Sequence, residues 1–140
     1  MATITPYLTM EGNAREAIAF YERVLEANVL SLVTFGEVPE NPEFPVPDEI
    51  KSRITHAHLE IGGTPIMMSD CYPGQEIASG NRINLCLTPK TLEESRRLFD
   101  ALSDGGQVVM PLMETFFSPG FGQLIDPFGV GFLISTEPKE

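Results

Sequence analysis

NAREAIAFYERVLEAN at residues 13–28 and TLEESRRLFDALSDGG at residues 91–106 are two copies of one helical signal, set 78 residues apart. Each opens on a side chain able to cap a helix, Asn13 or Thr91, with a glutamate three positions on, Glu16 or Glu94, the arrangement of a capping box. Apolar positions then recur at helical spacing: Ala17, Ile18, Tyr21, Val24 and Leu25 in the first copy, Leu98, Phe99 and Leu102 in the second. The offset pairs Phe20 with Leu98, Tyr21 with Phe99 and Val24 with Leu102. It also pairs Asn28 with Gly106, two residue types that tolerate the left-handed conformation closing a helix.

Strand-like runs flank the helices in matching order. Residues 4–10 and 82–88 precede them, the latter alternating Ile83, Leu85 and Leu87 with Arg82, Asn84 and Cys86. Residues 29–35, 54–61 and 65–69 follow the first helix, with Gly62-Gly63 as a hairpin turn. Residues 107–112, 120–125 and 131–135 follow the second, with Asp126-Pro127-Phe128-Gly129 as the turn. The order predicts βαβββ twice, an α+β fold within one domain over 1–140, with module one at about 4–71 and module two at about 81–136.

Toward the carboxyl end the offset falls to 66, pairing Ser69 with Ser135 and Gly63 with Gly129. The difference is taken up at residues 37–52, where Pro39, Pro42, Pro45 and Pro47 alternate with Glu37, Glu40, Glu43, Asp48 and Glu49. Proline at this density cannot join a ladder, so the segment is an acidic loop: a solvated excursion or a lid over a pocket.

Composition narrows the partners. The 140 residues are 42% hydrophobic and 21% charged, enough apolar mass for one core, and the net charge is -11. Such a surface repels nucleic acid and anionic lipid, and Lys and Arg do not cluster, which excludes both as partners and points to a small molecule or a protein. No secretory h-region and no apolar run long enough for a membrane span occurs, so the expected location is cytoplasmic. Cys71 and Cys86, too few for a disulfide framework, are expected as reduced thiols.

Strand parity selects the candidate site. In 54–61 the apolar parity is Thr55, Ala57, Leu59 and Ile61, and the opposite parity is His56, His58 and Glu60. In 82–88 the residues Arg82, Asn84 and Cys86 oppose the leucines. Two such sheets would enclose a groove lined by these polar side chains. His56 and His58 are the chain's two histidines, and with Glu60 they form its one classical metal-ligand run, although i, i+2 spacing of about 6.5–7 Å does not by itself make imidazoles converge. Ser69-Asp70-Cys71 lacks a nucleophile elbow, and Gly120-Phe121-Gly122 does not open a helix, so neither a hydrolytic triad nor a Rossmann-type cofactor site is expected. Phe116, Phe117 and Phe121 form an aromatic cluster that serves as core, subunit contact or ligand wall.

Pro6-Tyr7-Leu8, Glu11 to Ala17, Phe20-Tyr21, His56-Ala57, Met68-Ser69-Asp70, Gly105-Gly106, Met110-Pro111-Leu112 and Asp126 to Val130 together resemble the PhnB-like branch of the glyoxalase, bleomycin-resistance and dioxygenase superfamily, the vicinal oxygen chelate fold. The resemblance covers about residues 4–136 and implies paired βαβββ modules forming half-barrels, usually in a homodimer. It also implies a divalent metal held by His and Glu on the first and last strands of each module. Carried over from the resemblance residue by residue, those positions are Pro6 and Met67, then Asn84 and Leu133, in keeping with the offsets of 78 and 66, and none is an ordinary ligand for a hard cation. Relatives in the branch are often labelled 3-demethylubiquinone 3-methyltransferase domains, a label that implies methyl transfer. No glycine-rich strand-to-helix turn for a methyl donor occurs in the chain.

Two readings follow. In the first the protein is a metal-free dimer binding a small molecule among His56, His58, Glu60, Met67, Ser69, Arg82 and Asn84, walled by Phe116, Phe117 and Phe121, with Arg82 as bidentate anchor for a carboxylate or phosphonate. In the second it is a metal-dependent lyase, isomerase or dioxygenase whose one divalent ion sits on His56, His58 and Glu60.

Overall fold

A computed structural model describes residues 2–39, 41–43, 45–72, 74–78 and 80–138. The chain divides into two compact units, Met1–Ile77 and Ala78–Glu140. Each is a βαβββ module: one helix on one face of a four-stranded mixed sheet, so the chain holds two tandem copies of the motif.

In the first unit β1 (Tyr7–Met10), β2 (Asn28–Thr34), β3 (Ile54–Ile61) and β4 (Thr64–Asp70) lie in the order β1-β4-β3-β2, with β1 parallel to β4 and the other pairs antiparallel. Helix α1 (Ala14–Leu25) buries Ala14, Ala17, Ile18, Phe20, Tyr21 and Val24, the stripe its periodicity predicts. The helix meets Ala57, Leu59, Ile66 and Met68, all buried, from one parity of β3 and β4. Gly62 and Gly63 both have positive φ, 57° and 85°, which a two-residue turn of the hairpin type demands, and the strands they join pair Ile61 with Thr64.

The capping box expected at Asn13 does not form, since the Asn13 side chain makes no cap hydrogen bond. The helix start is held from a distance instead. Asp70, 5% exposed at the end of β4, accepts the Ala14 N–H on Oδ1 and the Ile54 N–H on Oδ2, each at 2.9 Å. The helix closes at Glu26, φ 55°, two residues before the Asn28 expected to do so; Asn28 already belongs to β2.

The loop over 37–52 begins and ends in short 3-10 turns, Phe35–Glu37 and Asp48–Ile50. They are tied where the Gly36 N–H donates to the Lys51 carbonyl at 3.0 Å, and Phe35 and Ile50 are buried. Glu40 lies outside the described residues, and the described residues at 38–43 are exposed. The Lys51 ammonium, 2.7 Å from Asp48, donates a hydrogen bond and supplies a positive charge, which holds the Asp48 carboxyl below its ordinary range.

In the second unit β5 (Leu85–Leu87), β6 (Gln107–Met113), β7 (Phe121–Ile125) and β8 (Gly131–Ser135) repeat the pattern in the order β5-β8-β7-β6, against α2 (Leu92–Ser103). Here the predicted cap does form: Thr91 Oγ1 accepts the Glu94 N–H at 3.1 Å. Residue Gly105, not Gly106, takes the left-handed conformation after α2, at φ 80°. Gly106 is required for closeness, because a Cβ there would collide with the Ile125 carbonyl.

Strand β5 is three residues long, shorter than the run expected at 82–88, so Arg82 and Asn84 precede it and Ile83, expected against the helix, is 86% exposed. The structural register also corrects the offset of the first strands. Tyr7 pairs with Met67 and Cys86 with Leu133, so β1 maps to β5 at 79 residues and not 78, while the last strands keep 66. The backbone agrees: Cys71 N–H donates to the Met10 carbonyl, and Glu137 N–H to the Pro89 carbonyl.

Candidate functional site

Cross-strand pairing assembles one polar face on the first sheet. Tyr7 pairs with Met67, Met67 with His58 and His58 with Ser31, so these four side chains form a row across the face opposite α1. Thr9, Ser69, His56 and Val33 form the next row, since Ala57 pairs with Met68 and places His56 beside Ser69. Glu60, paired with Asn28 and Pro65, lies in a third row, on the other side of the His58 row. Thus His56, His58 and Glu60 share a face, as strand parity predicts, and the pairing of β3 with β4 adds Met67 and Ser69 to it.

Tyr7 binds this face together. Its hydroxyl donates to Ser69 Oγ at 2.8 Å, and its ring lies 6.4 Å from the His56 ring at a tilt of 39°. His58 Nε2 is buried and has no hydrogen-bond partner among the described residues. Buried polar atoms are nearly always paired, and His58 Nε2 shares its unpaired condition with Asn13 Oδ1, which lies off this face at the start of α1. Tyr7 was not among the residues picked out from the sequence as a candidate. Its signal was the alternation of Tyr7 and Thr9 with Leu8 and Met10, obscured by assigning Pro6 to the position beside Met67.

The remaining candidates belong to the second unit and do not form one cluster there. Arg82 is exposed in the bend before β5, off the strand on which an anchoring role placed it. Asn84 is half-buried; its Oδ1 accepts from Gln123 Nε2 at 3.4 Å and its Nδ2 donates to the Asn81 carbonyl at 3.4 Å. Phe116, Phe117 and Phe121 stack edge to face, with centroids 5.1 and 5.0 Å apart. Phe116 is fully exposed, Phe117 nearly half, and Phe121 lies on β7 beside Ser135. The turn is fixed from within: Thr115 Oγ1 accepts the Phe117 and Ser118 N–H groups, and the buried Ser118 hydroxyl donates to the Thr136 carbonyl at 2.8 Å.

The metal positions implied by the fold can be tested on this register. The first-strand positions beside Met67 and Leu133 are Tyr7 and Cys86, which corrects Pro6 and Asn84. A phenol, a thioether, a thiol and an isobutyl group are not a donor set for a hard divalent cation. The alternative set of His56, His58 and Glu60 runs along one strand at successive outward positions. Among the described residues, no three His, Cys, Asp or Glu side chains come together as a group able to hold a metal ion. The residues present do not fit the metal of the fold's chelating members.

Tandem βαβββ modules, each with a helix on one face of its sheet, are a fold that this chain shares with a glyoxylase/bleomycin resistance protein/dioxygenase domain from Frankia sp., at a TM-score of 0.64 and 14% identity, covering 99% of this chain and 98% of that one. The family model described as 3-demethylubiquinone-9 3-methyltransferase matches residues 2–135, and the chain belongs to this PhnB-like family. The chain is 38% identical to Protein YjdN of Escherichia coli, over 98% of its own length and 97% of the relative's. Its fold matches protein PA1353 of Pseudomonas aeruginosa with a TM-score of 0.86 at 34% identity, covering 99% of this chain and 100% of that one. A PhnB protein from Bacillus cereus matches with a TM-score of 0.80 at 27% identity, covering 96% and 99%. No helix among the described residues is long and apolar enough to cross a membrane.

Proposed function

We propose that the protein binds a small organic molecule on the polar face of its first sheet, through hydrogen bonds and not through metal chelation. The observation that supports this is the set of contacts on that face: the Tyr7 hydroxyl fixed on Ser69 at 2.8 Å, and His58 Nε2 buried with no partner among the described residues. On a fold that in the fosfomycin resistance protein FosX of Listeria monocytogenes is seen complexed with Mn(II), this chain offers imidazoles, hydroxyls and one carboxylate on one face of its first sheet. These groups donate and accept hydrogen bonds at fixed points on a rigid sheet, which suits orienting a polar ligand.

Methyl transfer, which the family's name carries, has no matching donor-binding turn in this chain. The strand-to-helix turns at 11–13 and 88–91 contain Glu-Gly-Asn and Thr-Pro-Lys-Thr, neither a glycine-rich cradle for a nucleotide-bearing methyl donor. Native mass spectrometry of freshly purified, untagged protein tests the proposal. A retained organic mass that is lost in His58→Leu and reduced in Tyr7→Phe is the expected result. A retained stoichiometric metal ion that disappears in His58→Leu would replace the proposal with metal-dependent chemistry.

A further inference from the structure

We infer that the ligand of the first sheet's polar face is an organic cation, a molecule that presents ammonium N–H donors to Glu60 and His58. The inference rests on the ligand-binding reading above and names the chemical class of that ligand.

Charge is the first argument. None of β1, β2, β3 or β4 contains a lysine or arginine, and Glu60 is the side chain with a fixed charge on the polar face. Asp70, the other carboxylate of these strands, has opposite parity and is engaged with the Ala14 and Ile54 amides. An anionic head group would therefore meet a carboxylate and no fixed cation. Arg82, the residue expected to anchor an anion, stands off the strands in the bend before β5. The whole chain acts in the same direction, because a net charge of -11 raises the local concentration of cations and lowers that of anions.

The hydrogen-bonding inventory is the second argument. The Tyr7 proton is committed to Ser69, so Tyr7 has only a lone pair to offer a ligand. His58 Nε2 is buried and unpartnered among the described residues, which leaves this ring nitrogen for a ligand group. The Glu60 carboxylate, two strand positions along on the same face, only accepts. The Tyr7 lone pair and the Glu60 carboxylate are thus acceptors on this face, and an ammonium, with donors and no acceptor, complements them. The Tyr7 ring, half exposed, offers a face on which a cation can also rest.

Probes of one shape and different charge test the inference. Benzylammonium and phenylphosphonate are titrated into the ¹⁵N-labelled protein, with the amide signals of His56, His58 and Ser69 as the readout, and benzylammonium into Glu60→Gln. The expected result is that benzylammonium shifts those three signals saturably, that phenylphosphonate leaves them in place, and that Glu60→Gln weakens benzylammonium about tenfold, the worth of a charge-assisted hydrogen bond. Phenylphosphonate saturating the same signals while benzylammonium does not would overturn the cation assignment and leave the ligand-binding reading standing. Equal benzylammonium affinity in wild type and a folded Glu60→Gln would also overturn it. Silence of those signals with both probes would overturn both. Should Glu60→Gln fail to fold, the wild-type comparison of the two probes decides by itself.

Discussion

Asp70 caps α1 from across the fold: its Oδ1 accepts the Ala14 N–H at 2.9 Å, a role the adjacent Asn13 leaves unfilled. Its other oxygen holds the Ile54 amide where β3 begins, so one buried carboxylate joins the helix start to two neighbouring strands. The negative charge also faces the positive end of the helix dipole. Asp70→Ala should lower unfolding free energy by about 2–4 kcal/mol, because two buried N–H groups lose their acceptor. Asn13→Ala should cost less than about 0.5 kcal/mol, since no cap bond is lost. Urea denaturation of both variants checks the contrast, and equal losses would refute it.

In the second module Thr91 caps the helix itself, and the link from helix to the end of the last strand is made by hydroxyls. Thr136 occupies the position of Asp70 at the 66-residue offset, and its Oγ1 lies 2.6 Å from Ser95 Oγ in the first turn of α2, both side chains buried. Thr136→Val strands a buried serine hydroxyl and should destabilise by about 1–3 kcal/mol. Adding Ser95→Ala should cost less than the sum of the two single changes, a coupling that thermal denaturation of the double-mutant cycle measures.

His58 has the opposite stability profile. With its buried Nε2 unpaired, His58→Leu should leave the unfolding free energy within about 1 kcal/mol of wild type, or raise it, while abolishing ligand retention. A loss of more than about 2 kcal/mol in calorimetry would mean that the imidazole holds the fold and not a ligand.

Close packing of α2 against its sheet depends on Gly122. A Cβ there would lie 2.7 Å from the Phe99 ring and 3.1 Å from the Leu112 backbone. Gly122→Ala should therefore cost about 1–3 kcal/mol through overpacking, readable as a lower thermal midpoint.

Self-association is expected to involve the outer strands. β2 and β6 stand at the edges of their sheets, and Leu30, Val108, Val109 and Met113 on them are about half exposed. Unpaired edges with apolar side chains favour pairing with a second copy. Sedimentation equilibrium should show a dimer at micromolar concentration, weakened by Val109→Lys; a monomer throughout would disprove it.

The periodicity of 13–28 and 91–106 was sufficient to determine two helices, their buried stripes and the doubled βαβββ order, because apolar spacing is a local property that every packed helix or strand must satisfy. Strand parity likewise put His56, His58 and Glu60 on one face before any coordinates. What parity could not supply was register between strands far apart in sequence. The 79-residue offset of the first strands, and with it Tyr7 beside Met67, depends on hydrogen bonds between β1 and β4, some 60 residues distant. The same holds for Asp70 in place of Asn13: a local capping box competes with a tertiary acceptor, and the buried carboxylate, charged and held by two amides, prevails. Local pattern determined which elements exist and which side of each is polar, whereas the pairing of remote strands decided which polar groups meet, since that is set by the summed packing of the sheet and not by any one segment.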